Sequence, residues 1–371
     1  MIVSFMYALT QEMGSGKLVI NKNVFISRKV SMIKKVTIKD VAREANVSIS
    51  TVSNALNDIN VLHPDTKEHI LRVAKSLNYI PNVHGRNLKS RNTKTLGLFL
   101  RSIKGPYYGT LIDSIANECD KFGYNLSVFI TKNEGATINN IMGRQVDGAI
   151  VLNEWLTEDN LDLLEKSSIP LVFLDREKVG RYISSVVFSS YKGGEMVAHH
   201  LLQLGHKKIG YIHGVEDQYD DKERFKGFQD VLAKAGISLE EKDCLYGSFE
   251  EDTTFDAVKQ FIQSGKELPD AFFAANDLSA IGCIKALQSE GYAVPKDITV
   301  IGFDDIELSA YFNNGLTTVR NPIVKQGVKA VERLLNIIAN KEVGKLDKLD
   351  GELIIRNSCS PNKQITSDII N

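Results

Sequence analysis

Apolar positions in residues 36–57, VTIKDVAREANVSISTVSNALN, recur at helical spacing: Val41, Ala42 and Ala45, then Val52, Ala55 and Leu56. Thr37, followed three residues later by Asp40, predicts a capped helix start of the capping-box kind. Asn46 suits the left-handed conformation of a tight turn, and Ser48 is a good N-cap for a second helix. A third helix is expected from Pro64, with Ile70, Leu71, Ala74 and Leu77 as its apolar stripe, until NYIPN ends it. The pattern therefore predicts a small all-α unit over 34–80. The segment that follows, 81–94, is basic and too short to be a domain.

From Thr95 the texture changes. TLGLFL, YNLSVFI, DGAIVL and PLVFLD read as buried strands alternating with helical stretches, and the same texture returns in KIGYIHG, PDAFFAAND and ITVIGFDD. VDGAIVLN and PDAFFAAND share an Asp-small-apolar strand start, an internal echo that suggests two similar lobes. The expected core over 95–360 is thus α/β, with two doubly wound parallel-sheet lobes and a cleft at the carboxyl ends of their strands.

The chain has 371 residues, 43% hydrophobic and 25% charged, and a formal net charge of -1. That balance is uneven along the sequence. Residues 34–95 carry 11 Lys and Arg against 5 Asp and Glu, whereas residues 96–371 carry 30 against 40. A basic front followed by an acidic body is the distribution expected when only the front meets a polyanion. Cys119, Cys244, Cys283 and Cys359 are widely spaced, which suggests neither a zinc site nor a disulfide framework. No run has the length of a membrane helix, and the opening MIVSFMYAL lacks the basic region of a secretory signal, so a cytoplasmic location is expected. Residues 1–33 show no periodicity, and Met32 is expected to be the true start. GSGKL within that stretch lacks the upstream glycine and following Ser or Thr of a phosphate loop.

Candidate chemistry gathers at the strand ends. Asp175 closes PLVFLD, Asn276 and Asp277 close AFFAAND, Asp304 and Asp305 close VIGFDD, and Arg224 is read as opening the helix RFKGF. Carboxylates and an arginine around one cleft can bond vicinal hydroxyls, and aromatic rings can cover the apolar face of a sugar. Each residue taken alone reads equally well as a cap on the next helix. His199 and His200 are adjacent and diverge by about 100° on a helix, which argues against a metal site with His206. No catalytic residues, metal or cofactor are assigned. An α/β enzyme is the main rival class, yet no Gly-x-Ser-x-Gly elbow or Gly-x-Gly-x-x-Gly turn after a strand is present. An exported solute-binding protein, the second rival, would have no use for a basic three-helix front.

TIKDVAREANVSISTVSNALN, followed by LNYIPN, resembles the headpiece of the lactose-repressor and galactose-repressor family of bacterial transcriptional regulators. With the features below, the resemblance extends from Val36 to Cys359. It implies a helix-turn-helix headpiece, a periplasmic-binding-protein-like core, and a homodimer that binds a pseudo-palindromic operator in double-stranded DNA under control of a small effector, expected to be a sugar. The implied DNA-facing set is Thr37, Ser48, Ile49, Ser50, Thr51, Ser53, Asn54, Asn57, Tyr79, Asn82 and Leu88. Ile49 and Ser50 fall where the family reads bases. Asn54 stands where many members carry arginine, and an asparagine suits adenine rather than guanine. Asn46 replaces the usual turn glycine. Leu88 matches the hinge leucine that wedges into the minor groove, and Gly85 weakens that hinge helix by roughly 1 kcal/mol.

RFKGF, AANDLSAIG and VIGFDD match the family's effector-site motifs, which puts Arg224, Asn276 and Asp304 first, then Asp175 and Phe249. Tyr107 and Tyr108 match the family's first loop, although SIKGPYYGTL departs from its usual Asn-Pro-Phe. Asp277 and Asp305 are read as structural and His206 as a turn residue. The tail, 361–371, has no leucine heptads, so a dimer without a tetramerising coiled coil is expected.

Overall fold

The computed structural model describes residues 36–57, 59, 61–80, 93–143, 145–152, 156–174, 176–215 and 218–362. The expectations for residues 1–33, Asn82, Gly85, Leu88, Asp175 and most of the tail lie outside the described residues. The chain divides into two compact units, Met1–Arg86 and Asn87–Asn371.

The first unit contains α1 (Ile38–Glu44), α2 (Ile49–Leu56) and α3 (Pro64–Ser76). The Thr37 N–H and hydroxyl both donate to Asp40 Oδ2, at 2.9 and 2.7 Å, so the predicted capping pair forms. Asn46 has φ 51°, and Ser48 Oγ accepts from the Thr51 N–H at 3.1 Å. Val41, Ala42, Ala45, Val52, Ala55, Ile70 and Ala74 form the core of this unit. Leu71, expected inside, is 41% exposed. Ile70, Val73, Ala74 and Leu77 share one face at helical spacing, and Leu71 is turned about 100° away from Ile70.

The second unit holds two six-stranded sheets. The first lobe is built from β1 (Thr95–Leu100), β2 (Asn125–Ile130), β3 (Gly148–Leu152), β4 (Leu171–Phe173) and β5 (Ile183–Phe188), with α4 (Pro106–Lys121), α5 (Glu134–Met142) and α6 (Glu158–Lys166) between strands. The second contains α7 (Ser190–Gln203), β6 (Ile209–His213), α8 (Tyr219–Lys234), β7 (Cys244–Tyr246), α9 (Glu251–Gln263), β8 (Ala271–Ala274), α10 (Asp277–Ser289), β9 (Thr299–Asp304) and β10 (Thr317–Arg320). The chain then returns: α11 (Ile323–Ile338) packs Ala330, Val331 and Leu334 into the first lobe's core, and β11 (Leu346–Leu349) pairs with β5. It returns once more to place β12 (Glu352–Ile354) antiparallel to β10; the other strand pairs are parallel.

The strand orders, β11-β5-β4-β3-β1-β2 and β12-β10-β9-β8-β6-β7, give β3 and β8 equivalent places, which accounts for the echo between their sequences. YNLSVFI was expected to be buried. Its strand β2 pairs only with β1 at the sheet edge, leaving Val128 39% and Ile130 53% exposed. No helix among the described residues is long and apolar enough to cross a membrane.

Candidate nucleic-acid interface and ligand cleft

Burying Val52 and Ala55 turns the opposite face of α2 outward. Ile49 is 45% exposed, Ser50 is exposed, and Thr51, Ser53 and Asn54 are half-exposed. Part of this polar face already serves the helix. Ser48 Oγ lies 2.7 Å from both Ser50 Oγ and Thr51 Oγ1, and Asn57 Nδ2 donates to the Ser53 carbonyl at 2.8 Å. Tyr79 packs partly against the core of the three helices.

In the second lobe the strand ends converge on Arg224. Sequence reading placed this residue at the start of its helix, but α8 begins at Tyr219, so Arg224 lies in its second turn and is 4% exposed. Its Nη1 donates to the Ala275 carbonyl, and its guanidinium lies 3.4 Å from the centroid of the Phe303 ring. Nε is buried without a hydrogen-bond partner. Asp304 follows Phe303 with φ 106°, a backbone conformation that costs energy for any residue with a Cβ and that clusters at functional sites. Asn321 Nδ2 donates to Asp304 Oδ1 at 3.2 Å, while Asn321 Oδ1 is itself buried and unpartnered. Burial pushes the Asp304 carboxyl up to about 6, against the opposing pull of Arg224 and the Asn321 amide.

Asn276 is the N-cap of α10: its Oδ1 accepts from the Ser279 N–H at 2.9 Å, and its Nδ2 donates to the Phe249 carbonyl at 3.1 Å. Its amide therefore performs the capping role that the sequence left open and also fixes Phe249. Phe249 has φ 60°, and its ring lies over Gly214. Asp277 is fully buried and accepts from the Ile306 N–H and the Ser309 and Thr318 hydroxyls at 2.9, 2.7 and 2.6 Å. Burial, with Asp304 nearby, pushes its carboxyl up to about 7. Asp305 pairs with Arg320 and Arg356 at 2.7 and 2.6 Å. Both acids hold the second lobe together, as does His206, 4% exposed with Nε2 3.0 Å from the Ser360 carbonyl.

On the first lobe, Tyr107 and Tyr108 stand in the first turn of α4 rather than in a loop, edge to face at 5.4 Å. Tyr107 OH donates to Gln326 Oε1 at 3.2 Å, and Gln326 Nε2 reaches the Leu174 and Val186 carbonyls. The segment before α4 touches the second lobe, where Lys104 Nζ lies 2.8 Å from Glu250 Oε1. Tyr219 OH, on the second lobe, donates to Glu177 of the first at 2.5 Å. Gln326, Asn321 and Asp220, whose negative charge adds to the rise of the Asp304 carboxyl, were not anticipated. Asp304 is the last residue of β9 and Asn321 the first after β10, so recognising TTVR as a strand would have pointed to it.

Among the described residues no group of three His, Cys, Asp or Glu side chains could hold a metal ion.

Family models match the chain in two places: residues 37–82 to "Bacterial regulatory proteins, lacI family" and residues 198–359 to "Periplasmic binding protein-like domain". The chain is 35% identical over 333 residues to the HTH-type transcriptional repressor PurR of Haemophilus influenzae (strain PittEE), covering 87% of this chain and 98% of that one. It superposes on the lac repressor dimer bound to operator and the anti-inducer ONPF with a TM-score of 0.76 at 26% identity, covering 88% and 100% of the two chains. A complex of the transcriptional regulator CelR with cellobiose gives 0.67 at 25% identity, covering 87% and 99%.

Proposed function

Because the chain belongs to the lacI family of bacterial regulatory proteins and is a DNA-binding transcriptional repressor, we propose that it controls carbohydrate-use genes in the cytoplasm through a sugar held between its lobes. In this reading a two-fold dimer straddles a pseudo-palindromic operator, with Ile49, Ser50 and Asn54 at base edges and Thr37, Ser48, Thr51, Ser53, Asn57, Tyr79 and Asn82 near the backbone. Leu88 supplies the central wedge.

The observation that carries the ligand site is the buried Arg224, its Nε unpartnered, beside the carboxylate of Asp304, whose backbone is held at a φ of 106°. A charged donor and an acceptor held this way suit adjacent hydroxyls, and the solved CelR–cellobiose complex supports a saccharide. Asp175, Asn276, Phe249, Tyr107 and Tyr108 complete the proposed wall. An aromatic group on each lobe, Phe249 and the Tyr107–Tyr108 pair, favours a second reading in which the ligand is a planar heterocycle.

Selection of genomic fragments by protein starting at Met32, at one fixed salt concentration, tests the DNA reading. An enriched pseudo-palindrome is expected, and an Asn54→Arg variant should move one symmetric pair of positions toward guanine. Retention without sequence preference would sink the proposed operator. Cellobiose and adenine are then titrated against the retained operator. A shift in operator affinity with the sugar supports the first reading, and a shift with adenine alone supports the second.

A further inference from the structure

Helix α7 begins where the chain first leaves lobe one, and its opening turns lie directly on the helix that carries Arg224. A Cβ added to Gly194 would stand 2.0 Å from the Arg224 carbonyl oxygen and 2.8 Å from the Phe228 nitrogen. Reciprocally, a Cβ on Gly227 would stand 2.0 Å from the Tyr191 carbonyl oxygen. Both obstacles are backbone, so no side-chain rotation relieves them, and the approach requires glycine on both helices. Gly193 lies against the Phe303 ring on which the Arg224 guanidinium rests. Ser190 adds a polar link by donating from Oγ to Asp220 Oδ1 at 3.0 Å.

The other side of the same segment is fastened to the inter-lobe crossovers. The Ser189 N–H donates to the Leu349 carbonyl at 2.8 Å, and Lys192 pairs with Asp350 at 3.0 Å. Residues Ser189–Gly194 therefore stand between Arg224 and the chain that joins the lobes. Backbones in direct contact cannot move independently, because close-packed interiors transmit displacement rather than absorb it.

We propose that Gly194, Gly227 and Ser190 are positioning residues that set Arg224 against the ligand and pass its displacement to the crossovers at Ser189 and Leu349. The proposal rests on reading the inter-lobe cleft as the ligand site and names how that site reaches the junction of the lobes.

Amide hydrogen exchange on the full chain tests it without any ligand. Arg224→Gln, which removes the charge, should accelerate exchange of the Ser189 amide and of residues 349–352 by about tenfold, beyond its effect on α8 itself. Ser190→Ala should accelerate the same crossover amides, and adding Arg224→Gln to it should then change them by less than twofold, the mark of one shared path. Gly194→Ala should act in the same direction. Should that variant fail to fold, Ser190→Ala decides alone, since it removes a hydroxyl without adding bulk. Acceleration confined to α8 and its neighbours, additive effects in the double variant, or an even increase over both sheets would each overturn the proposal. Operator selection is read separately. Its loss alone sinks the functional reading, and an unresponsive crossover alone sinks the positioning role.

Discussion

Asp304 combines a φ of 106° with a carboxyl that burial raises to about 6, beside an arginine that draws it down. Acid below that value neutralises the proposed acceptor. Ligand affinity is therefore expected to fall by up to about tenfold per pH unit below about 6, and Asp304→Asn to remove the step. Titrations of operator release across roughly pH 5 to 8 would check this, and an unchanged step in the variant would assign it elsewhere. The effect on stability has its own sign. Asp304 and Asp277 bind protons more tightly folded than unfolded, so their contribution is complete below the ordinary value of 3.8 and is lost as pH rises through about 6 and about 7. The sequence separated Asp277 and Asp305 from their neighbours as structural, and the hydroxyls, N–H and arginines bonded to them agree. It could not place Asn321 or Asp220, because their proximity to Asp304 depends on strands and helices brought together from distant parts of the chain.

Elements with local signals were legible. The turn between α1 and α2 is written in Asn46 and Ser48, and both behave as their chemistry dictates. Ser48→Ala removes the acceptor for the Thr51 N–H and should cost the three-helix unit about 1 kcal/mol, with weaker operator binding following from a frayed α2. Thermal unfolding followed by circular dichroism would check the first part, and operator titration the second. β5 was missed because Ser184 and Ser185 interrupt its apolar run, although both are fully buried. The Lys345 N–H donates to Ser184 Oγ at 3.0 Å, and Ser185 Oγ donates to the Lys178 carbonyl at 2.7 Å. β11, with the sequence LDKL, offers no strand period to read and is defined by its partner β5. Conversely, YNLSVFI is apolar enough for a central strand yet lies at an edge, a distinction that depends on strand order rather than composition.

At the scale of the whole molecule, the charge count separated a basic front from an acidic body, and the repeated strand texture gave two lobes. What the pattern did not contain is how often the chain passes between those lobes. Among the described residues it does so near 189, near 321 and near 350, so each sheet is completed by residues distant in sequence. A chain ending at Arg320 would lack α11 and β11. The first lobe's core, with Leu96, Leu98, Ile115 and Ile150 against Ala330, Val331 and Leu334, would then lie open. Such a truncation is expected to bind a hydrophobic dye and to unfold without a cooperative transition, and a sharp unfolding curve with no dye binding would contradict that expectation.

The same threading has a consequence during synthesis on the ribosome. The three-helix front is complete once Tyr79 has emerged and can close its small core at once. The first lobe must wait, with β5 unpaired on one side, until Leu346–Leu349 has been made and has left the exit tunnel. By then all but the last strand of the second lobe has already emerged. The part of the protein synthesised second therefore reaches its native strand pairing at nearly the same moment as the part synthesised first, and a nascent chain stalled before residue 346 exposes an edge that a chaperone would have to cover.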